Sequence, residues 1–497
     1  MGSRVKLKKQ ISRDLEENLR EIRAATADSM DIVLRRFRLG NGQEAVAFFI
    51  DGLVNKDLLG RDFFQPLMQA KRESPWTAEL LAAEVIHSGE VNLETDFSTL
   101  FDSVLQGLVA LFIEGCSDAI SIEIISWPQR SIGEPETDVV IRGPREGFIE
   151  SLRINVALLR RKIHHPDFTV ETLRLGRYSQ TDLCLVYVSS IANRDVLDEL
   201  KKRLKKIDID GLMDSGSLEQ LIQDTPFSLF PTIGITEKPD IAAGRILEGR
   251  ILLLLDGSPI ALTLPMLFVE GLQSAEDYYT RFYYASWLRL LRGIAFLLNL
   301  YLPGFFLAAA GFHQQVIPFK LLLSMSAAES VTPFSTGVSM LLIWVVYEIL
   351  REAGVRLPKP AGQAISIVGA IVMGDAAVNA NLISAPVLIV LAITIVSSFV
   401  NSTYTDASSI LRLCFLLLGW QLGLFGLFLG STALLLYLCS LESFGTPFFA
   451  PFAPLQKRQA GDSLLRLPLW MLRFRPGTLS RNHRRMADMS PGKEDPR

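Results

Sequence analysis

Residues 293–319 read GIAFLLNLYLPGFFLAAAGFHQQVIPF and contain no Asp, Glu, Lys or Arg. Three further stretches without these residues follow, at 330–347, 376–405 and 413–441. A helix needs about 20 apolar residues to cross the hydrocarbon core of a bilayer. The length of these stretches therefore predicts that the second half of the chain is a polytopic α-helical membrane domain.

The overall composition hides this division of the chain. Charged residues make up 21% of the 497 residues and hydrophobic residues 49%, close to the averages for soluble proteins. The formal net charge of −3 gives no basic field of the kind that nucleic acids attract, so no nucleic-acid partner is predicted. The first forty residues are charged and lack the apolar core of a signal peptide. The N-terminal half is therefore expected to be cytoplasmic.

The chain divides into six predicted segments. They are a charged helical segment at 1–40, an α/β subdomain at 41–130, a second α/β subdomain at 131–240, a linker with a hairpin and an interfacial helix at 241–289, the transmembrane helices at 290–441, and a basic cytoplasmic tail at 442–497. Strands that alternate with helices in 41–240 predict a mixed or parallel sheet.

Several elements can be predicted within these segments. In the first subdomain, a strand at 45–50 precedes a helix at 53–68, and alternation at 120–125 predicts a half-buried strand. In the second, we expect strands at 139–141, 168–174 and 183–188, a helix ending near 163, a helix at 194–206, and a hairpin of 251–255 with 260–264.

A cluster of aromatic and basic residues precedes the first predicted span. Aromatic rings favour the headgroup level of a membrane, and arginine favours its cytoplasmic side. The residues expected to anchor the chain at the inner interface are Tyr278, Tyr279, Tyr283, Trp287, Arg289 and Arg292.

The number of spans is open from the sequence. Apolar blocks lie at 290–312, 335–350, 364–381, 382–400 and 409–441. The region after residue 455 holds ten Lys or Arg against four Asp or Glu, which favours an inside C-terminus. Two inside ends require an even number of spans. Either the last block crosses twice, bending near 423–430, or one shorter block does not cross.

Asp375 is the only charged residue between Pro360 and Thr405. An ionisable group at membrane depth is costly and usually faces a pore, a cavity or a partner. Asn379 shares its helix face, and Val368 and Val372 continue the stripe. One interpretation is a pore-lining helix with these four residues. The other places Asp375 at the outer end of a span, in contact with water or capping a helix.

Motifs for catalysis are missing from the sequence. No metalloprotease, hydrolase-elbow or P-loop spacing occurs, and the RGPREG stretch at 142–147 fits a tight turn into a helix. The four cysteines, at 116, 184, 414 and 439, are not at metal-binding spacing. The chain is therefore predicted not to be an enzyme and to hold no cofactor or metal.

A set of short motifs resembles one known family. They are EPETDVVIRGPREGF at 134–148, ESLR at 150–153, LEGR at 247–250, DGSP at 256–259, QSAEDYY at 273–279, FHQ at 312–314, EAGVRLP at 352–358 and GQAISIVG at 362–369. Together they resemble the A subunit of the spore germination nutrient receptors, the GerA family, over about residues 44–451. The SLRIN stretch at 151–155 departs from the family's usual SLRTN pattern.

The resemblance implies a function and partners. Such subunits lie in the inner membrane of dormant spores, with a transporter-like B subunit and a lipoprotein C subunit. The B subunit is expected to bind the nutrient, and the A subunit to form a homo-oligomeric ion-conducting pore in the lipid bilayer. Two rival functions are a secondary transporter and a non-conducting scaffold. The absence of a convincing repeat between residues 290–350 and 364–440 argues against the transporter.

Overall fold

The computed structural model describes residues 10–26, 29–86, 90–124, 142–356, 374, 376–456, 460–472 and 474–480. The strand predicted at 139–141 and much of the block at 364–381 lie outside these ranges. Two α/β units, at 10–124 and 142–264, precede a helical region at 276–440. The chain is thus an N-terminal α/β region followed by helices.

The first unit contains a five-stranded sheet in the order β1-β2-β4-β5-β3. Its strands are β1 (Ile32–Arg38), β2 (Glu44–Ile50), β3 (Val91–Glu94), β4 (Val109–Ile113) and β5 (Ala119–Ile122). Its helices are α1 (Leu15–Thr26), α2 (Lys56–Leu58), α3 (Gln65–Gln69), α4 (Ala78–Glu84) and α5 (Phe97–Leu105), with a π-helical turn at Leu59–Phe64 joining α2 to α3.

Helices cover both faces of this sheet. Phe48 on β2 packs with Leu19 of α1 and Phe101 of α5, whereas Phe49 on the same strand faces Phe63 and α4. Both faces are therefore apolar. For this reason β5 is buried along its whole length, and the prediction of a half-buried strand at 120–125 was wrong.

The N-terminal segment differs from the solvated helix predicted for residues 1–40. One face of α1 is buried through Leu15, Leu19 and Ile22. Residues 32–38 form the edge strand β1, which pairs with β2 along its full length. Exposed charged residues such as Arg20, Arg23 and Arg36 lie on the outer sides of a helix and an edge strand, so their charge did not indicate a free helix.

The second unit repeats the strand order of the first. Its sheet has the order β6-β7-β9-β10-β8. The strands are β6 (Phe168–Leu175), β7 (Thr181–Val188), β8 (Gly234–Thr236), β9 (Ile251–Leu255) and β10 (Ala261–Leu264), and the helices are α6 (Leu152–Arg160), α7 (Arg194–Lys206), α8 (Ser215–Ile222) and α9 (Pro239–Leu247). Helices α7 and α8 cover one face, and α6 and α9 the other.

The pairing within both sheets corrects two expectations. Each described strand pair is antiparallel, so the mixed or parallel sheet predicted from the alternation of strands and helices was wrong. The hairpin of β9 and β10, placed in a linker by the sequence, supplies two strands of the second sheet. The second unit therefore extends past residue 240.

A buried ion pair joins the two units. Arg160 at the end of α6 and Asp31 before β1 are both nearly inaccessible to solvent. The Arg160 guanidinium donates to both carboxylate oxygens, through Nε at 2.8 Å and Nη2 at 2.9 Å. Met30 adds a backbone hydrogen bond to the Val170 carbonyl at 3.0 Å. These contacts hold the first unit against β6 of the second.

The helical region contains two very long helices and several shorter ones. Its helices are α10 (Glu276–Tyr279), α11 (Phe282–Gly311), α12 (Phe319–Ser330), α13 (Thr336–Arg356), α14 (Ala377–Asn379), α15 (Ala385–Phe399) and α16 (Thr405–Ser440). The near end of this region is defined here as the end beside the second unit, where Phe268 lies, and the far end as the opposite one.

Helix α16 turns back on itself at Gly423. This glycine has φ of +62°, a conformation that residues with a Cβ avoid, and non-helical backbone. A Cβ placed on Gly430 would lie 2.9 Å from the Phe415 ring. In a straight helix these residues would be about 22 Å apart, from 1.5 Å of rise per residue. The block at 409–441 is therefore a helical hairpin, bent within the range 423–430 that one of the two alternatives from the sequence gave.

Both ends of this hairpin lie at the near end. The Tyr404 ring, just before α16, stacks on Phe268 with centroids 5.2 Å apart. The Phe448 ring, just after α16, meets Phe268 edge-on at 6.1 Å. The following segment continues along the second unit, where Ser480 Oγ donates to the Ile191 carbonyl at 2.8 Å. The described end of the region predicted as a basic tail thus packs against the second unit at Ser480.

Candidate functional site

The outer surface of the helical region is strongly apolar. Among the described residues, α11 and α16 are long and apolar enough to cross a membrane, by length and composition alone. Large apolar side chains at least 60% exposed include Ile349, Ile389, Val396, Phe425, Phe428 and Leu436. A soluble monomer rarely leaves so large a patch uncovered. Lipid, another subunit or both are needed to shield it.

Two glycines allow α11 and α16 to approach closely. A Cβ on Gly304 would lie 2.4 Å from the Phe415 carbonyl oxygen, and one on Gly419 would lie 2.2 Å from the Gly304 carbonyl oxygen. Neither position has room for a side chain. Small residues at such crossings are typical of helices that pack in membranes.

A buried charge network lies at the near end of α11. The Asp277 side chain is fully buried and accepts from Arg289 Nε at 2.7 Å and from Arg292 Nη1 at 2.9 Å. Arg289 is also buried and donates through Nη1 to Asp462 Oδ1 at 2.9 Å. Because a buried charge is tolerated only when paired, these contacts fix α10 and residue 462 against the start of α11.

Tyr278 completes this network. Its hydroxyl donates to Asp462 Oδ2 at 2.9 Å. Burial, with the nearby Asp462 charge, raises the pKa of Tyr278 far above its usual value, so the phenol stays protonated. The Arg466 guanidinium lies 5.2 Å above the same ring. The segment around residues 462–466 thus packs over the near end of α11.

A second polar cluster lies between three helices. Arg412 on α16 is fully buried and donates through Nη2 to Asn299 Oδ1 on α11 at 2.5 Å. Its Nη1 lies 3.8 Å from Glu348 Oε1 on α13, and Glu348 is also paired with Arg351 at 2.8 Å. Arg351 in turn donates to Ser409 Oγ. The cluster links α11, α13 and α16 near their near ends.

The structure separates the six predicted anchors into two groups. Tyr283 and Trp287 are more than half exposed, as a headgroup contact requires. The other four face the interior of the protein. Arg289, Arg292 and Tyr278 belong to the network around Asp277, and the Tyr279 hydroxyl donates to Asp240 Oδ2 at 2.5 Å.

The predicted pore stripe is only partly described. Val368, Val372 and Asp375 lie outside the described residues. Asn379 is the last residue of α14 and is exposed. The role of these four residues in a pore therefore remains a prediction.

Sequence reasoning missed Asp277, Asn299 and Arg412 as members of the two polar clusters. Asp277 lies within the motif at 273–279, but its charge was overlooked beside the aromatic residues. Asn299 was counted within an uncharged stretch, and Arg412 merely bounded one. A signal was present, since a lone arginine next to a long apolar run requires a partner. Within the described ranges, no three His, Cys, Asp or Glu side chains are placed to hold a metal ion.

Comparison with known proteins places the chain in a family. Residues 20–478 match the family model described as the Bacillus/Clostridium GerA spore germination protein. The chain belongs to the GerA family. The motifs quoted from the sequence had predicted this membership, and it is confirmed.

Curated relatives of this GerA protein span nearly its whole length. Spore germination protein KA of Bacillus subtilis is 38% identical, over 95% of this chain and 88% of the relative. The uncharacterized membrane protein YfkQ of Bacillus subtilis is 37% identical, over 98% and 95% respectively. Spore germination protein GerLA of Bacillus cereus is 34% identical, over 93% and 95%.

One solved structure is also similar. It is the N-terminal domain of the A subunit of the Bacillus megaterium spore germinant receptor GerK3. It is 34% identical, with a TM-score of 0.43, and the match covers 53% of this chain and 98% of that domain.

Proposed function

We propose that this GerA protein is a multi-pass subunit of a nutrient-sensing germination receptor in the inner spore membrane. In this proposal it assembles with a transporter-like B subunit, a lipoprotein C subunit and further copies of itself. The copies form a gated pore that releases ions when a partner senses nutrient. The observation that carries the proposal is the apolar outer surface of the helices in a chain of this family.

Helix directions support a multi-pass topology. Helix α11 starts at the near end, where the Arg292 carbonyl accepts from Asn401, and ends where Phe312 meets Gly423. Helix α13 runs the other way, from Gly337 beside Trp420 to Arg351 beside Ser409. The hairpin adds two passes, and α15 ends at the near end beside Asn401.

Helices α13 and α15, which flank the short helix α14, both run toward the near end, so the chain between them must return to the far end. A crossing by the block predicted at 364–381 would supply that return and give six spans. Both α/β units and the end of α16 would then lie on the cytoplasmic side. This count agrees with the even number that the basic residues after 455 require.

We place the ion path along the helix with Val368, Val372, Asp375 and Asn379. The decisive experiment compares Asp375→Asn with wild type in spores, with Asp406→Asn as control because Asp406 is exposed at the start of α16. We expect nutrient-triggered ion release to change about tenfold, the effect of about 1.4 kcal/mol on a barrier. Complex assembly should be unchanged.

Unaltered ion release in both Asp375→Asn and Val372→Ala spores would exclude this helix from the path. Flux measurements on the purified full chain in liposomes separate the rival functions. Ion flux without nutrient uptake is expected for a channel. Uptake of labelled nutrient would indicate a secondary transporter, and no flux with normal assembly would indicate a scaffold.

A further inference from the structure

A cavity lies where the second α/β unit meets the helical region. It has a volume of about 550 Å³ and lies between α9, the segment at 270–279 and the near ends of the long helices. Charged side chains from the second unit line it, together with Val400 and Leu469 from the helical side and the tail. It is separate from both polar clusters described above, apart from the shared residues Tyr278 and Arg292.

Lys238 is the feature of this cavity that requires explanation. Its side chain is fully buried, and its Nζ makes no hydrogen bond within the described part of the chain. The nearest carboxylate oxygen, Asp240 Oδ2, is 3.6 Å away and already accepts from the Tyr279 hydroxyl. Because an ammonium carries three donors and is costly to bury unsatisfied, this geometry leaves a place for an acceptor.

A second cation in the same cavity has unused donors. Arg250 is buried and ion-paired with Glu270, yet its Nε makes no hydrogen bond to any described residue. On the acceptor side, Asp240 Oδ1 is also without a hydrogen bond among those residues. The cavity therefore offers donors on two separate cationic side chains, and Asp240 Oδ1 can accept a hydrogen bond from a ligand.

We propose that this cavity binds a phosphate group, with Lys238 and Arg250 donating to its oxygens. A phosphate group accepts hydrogen bonds from several directions, as two separate cations require. A hydroxyl or ammonium carried on the same ligand would donate to Asp240 Oδ1. Two sources share this chemistry, a phospholipid headgroup and a soluble phosphate compound.

The position of the cavity admits a lipid. Val400 and Leu469 line it and are each nearly half exposed, so they can contact an acyl chain that leaves the cavity. The lipid source rests on the membrane placement proposed above. The phosphate site itself does not depend on that placement, so a failed flux experiment would not contradict it.

The test uses the purified full-length chain in detergent, titrated with inorganic phosphate, with acetate, and with mixed micelles of short-chain phosphatidylglycerol. Binding is followed by calorimetry and by the shift in the unfolding midpoint. Lys238→Met keeps the aliphatic stem and removes the charge. Lys205→Met on α7 is the matched control, since Lys205 is exposed and distant in sequence from the cavity.

A second variant avoids changing any charge. Gly244 lines the cavity, and a Cβ added there meets nothing within 4 Å. Gly244→Leu should therefore fill the space, and it should also favour α9, because glycine disfavours helix interiors. This variant is expected to fold at least as well as wild type and to lose binding.

We expect Lys238→Met and Gly244→Leu each to weaken binding at least about tenfold, as the loss of a charged hydrogen bond or of the space implies. Lys205→Met should bind as wild type does. Tighter binding of phosphatidylglycerol than of phosphate indicates the lipid source, and the reverse indicates a soluble one. The proposal would be overturned if neither phosphate nor phosphatidylglycerol binds, or if acetate binds equally well. It would also be overturned if binding is unchanged in both Lys238→Met and Gly244→Leu.

Discussion

Two buried arginines, Arg160 in the α/β region and Arg412 in the helical region, are both fully inaccessible to solvent. Arg160 donates to both oxygens of Asp31 and to the carbonyls of His165 and Phe168. Arg412 donates through Nη2 to Asn299, and its Nε and Nη1 make no hydrogen bond to the described residues.

This difference shows that a buried side chain is not necessarily held in place by hydrogen bonds. The guanidinium of Arg160 makes four hydrogen bonds and also lies 4.4 Å above the Phe168 ring, so moving it would break several bonds at once. Arg412 lies between three helices, and its Nε and Nη1 donors make no hydrogen bond to the described residues. It can exchange partners at lower cost, which suits a region expected to change shape more than it suits a static joint.

The largest expected effect on stability follows from breaking the buried Arg160–Asp31 ion pair. Asp31→Ala leaves the Arg160 charge buried and uncompensated, which costs about 3–5 kcal/mol. We expect a clear fall in the unfolding midpoint of the purified full chain and faster proteolysis between the two α/β units. The control is Asp182→Ala, which removes an exposed pair with Arg174. A fall in the unfolding midpoint equal to that of the control would show that the Arg160–Asp31 pair does not hold the two units together.

A smaller loss of stability is expected from Arg412→Met. Methionine fills similar apolar space, and Glu348 keeps its partner Arg351, so no charge is stranded. The loss of stability should be at most about 2 kcal/mol, mainly the hydrogen bond to Asn299. Thermal unfolding in detergent measures it.

Removing both partners of Glu348 sharpens this comparison. The double variant Arg412→Met with Arg351→Met leaves Glu348 without either ion pair, so its cost should exceed the sum of the two single changes. Should Arg412→Met alone cost as much as Asp31→Ala, the contrast between the two arginines would be wrong.

The smallest effect concerns Asp214 in the second unit. Burial raises the pKa of this carboxyl, but hydrogen bonds from Ser258 and from the Gly216 and Ser215 backbone outweigh burial and lower it. A lowered pKa stabilises the fold above the unfolded value of about 4, and this contribution is lost as pH falls through the folded pKa.

Ser258→Ala should therefore cost about 1 kcal/mol near neutral pH, the value of one hydrogen bond. The difference from wild type should shrink as the pH falls below about 4, because Asp214 is then protonated. Unfolding midpoints at several pH values check this. A difference that does not change with pH would mean that packing, not the carboxylate, explains the cost.

Sequence patterns predicted the elements better than their arrangement. Alternation and apolar runs indicated β2, β7 and β9, and the bend near Gly423 was one of two alternatives left open, because burial and backbone freedom act locally. They did not reveal that the described strand pairs are all antiparallel or that both units share one strand order. Pairing depends on contacts between residues far apart in sequence, which no local pattern encodes.

The polar clusters illustrate the same limit at the level of single residues. Asn299 and Arg412 are separated by more than a hundred positions, and each alone is an ordinary polar residue near an apolar stretch. The close crossing of α11 and α16 at Gly304 and Gly419 brings them together. The partner of a buried charge therefore could not be named before the helices were placed.

The bend at Gly423 has a consequence for how the chain is built. Both ends of this hairpin lie at the near end of the helical region. Such a hairpin can enter a bilayer as a loop and expose only its tip on the opposite surface. Reporter proteins fused before residue 10 and after residue 480 should then sit in the same compartment, and a straightened hinge would send the second reporter across.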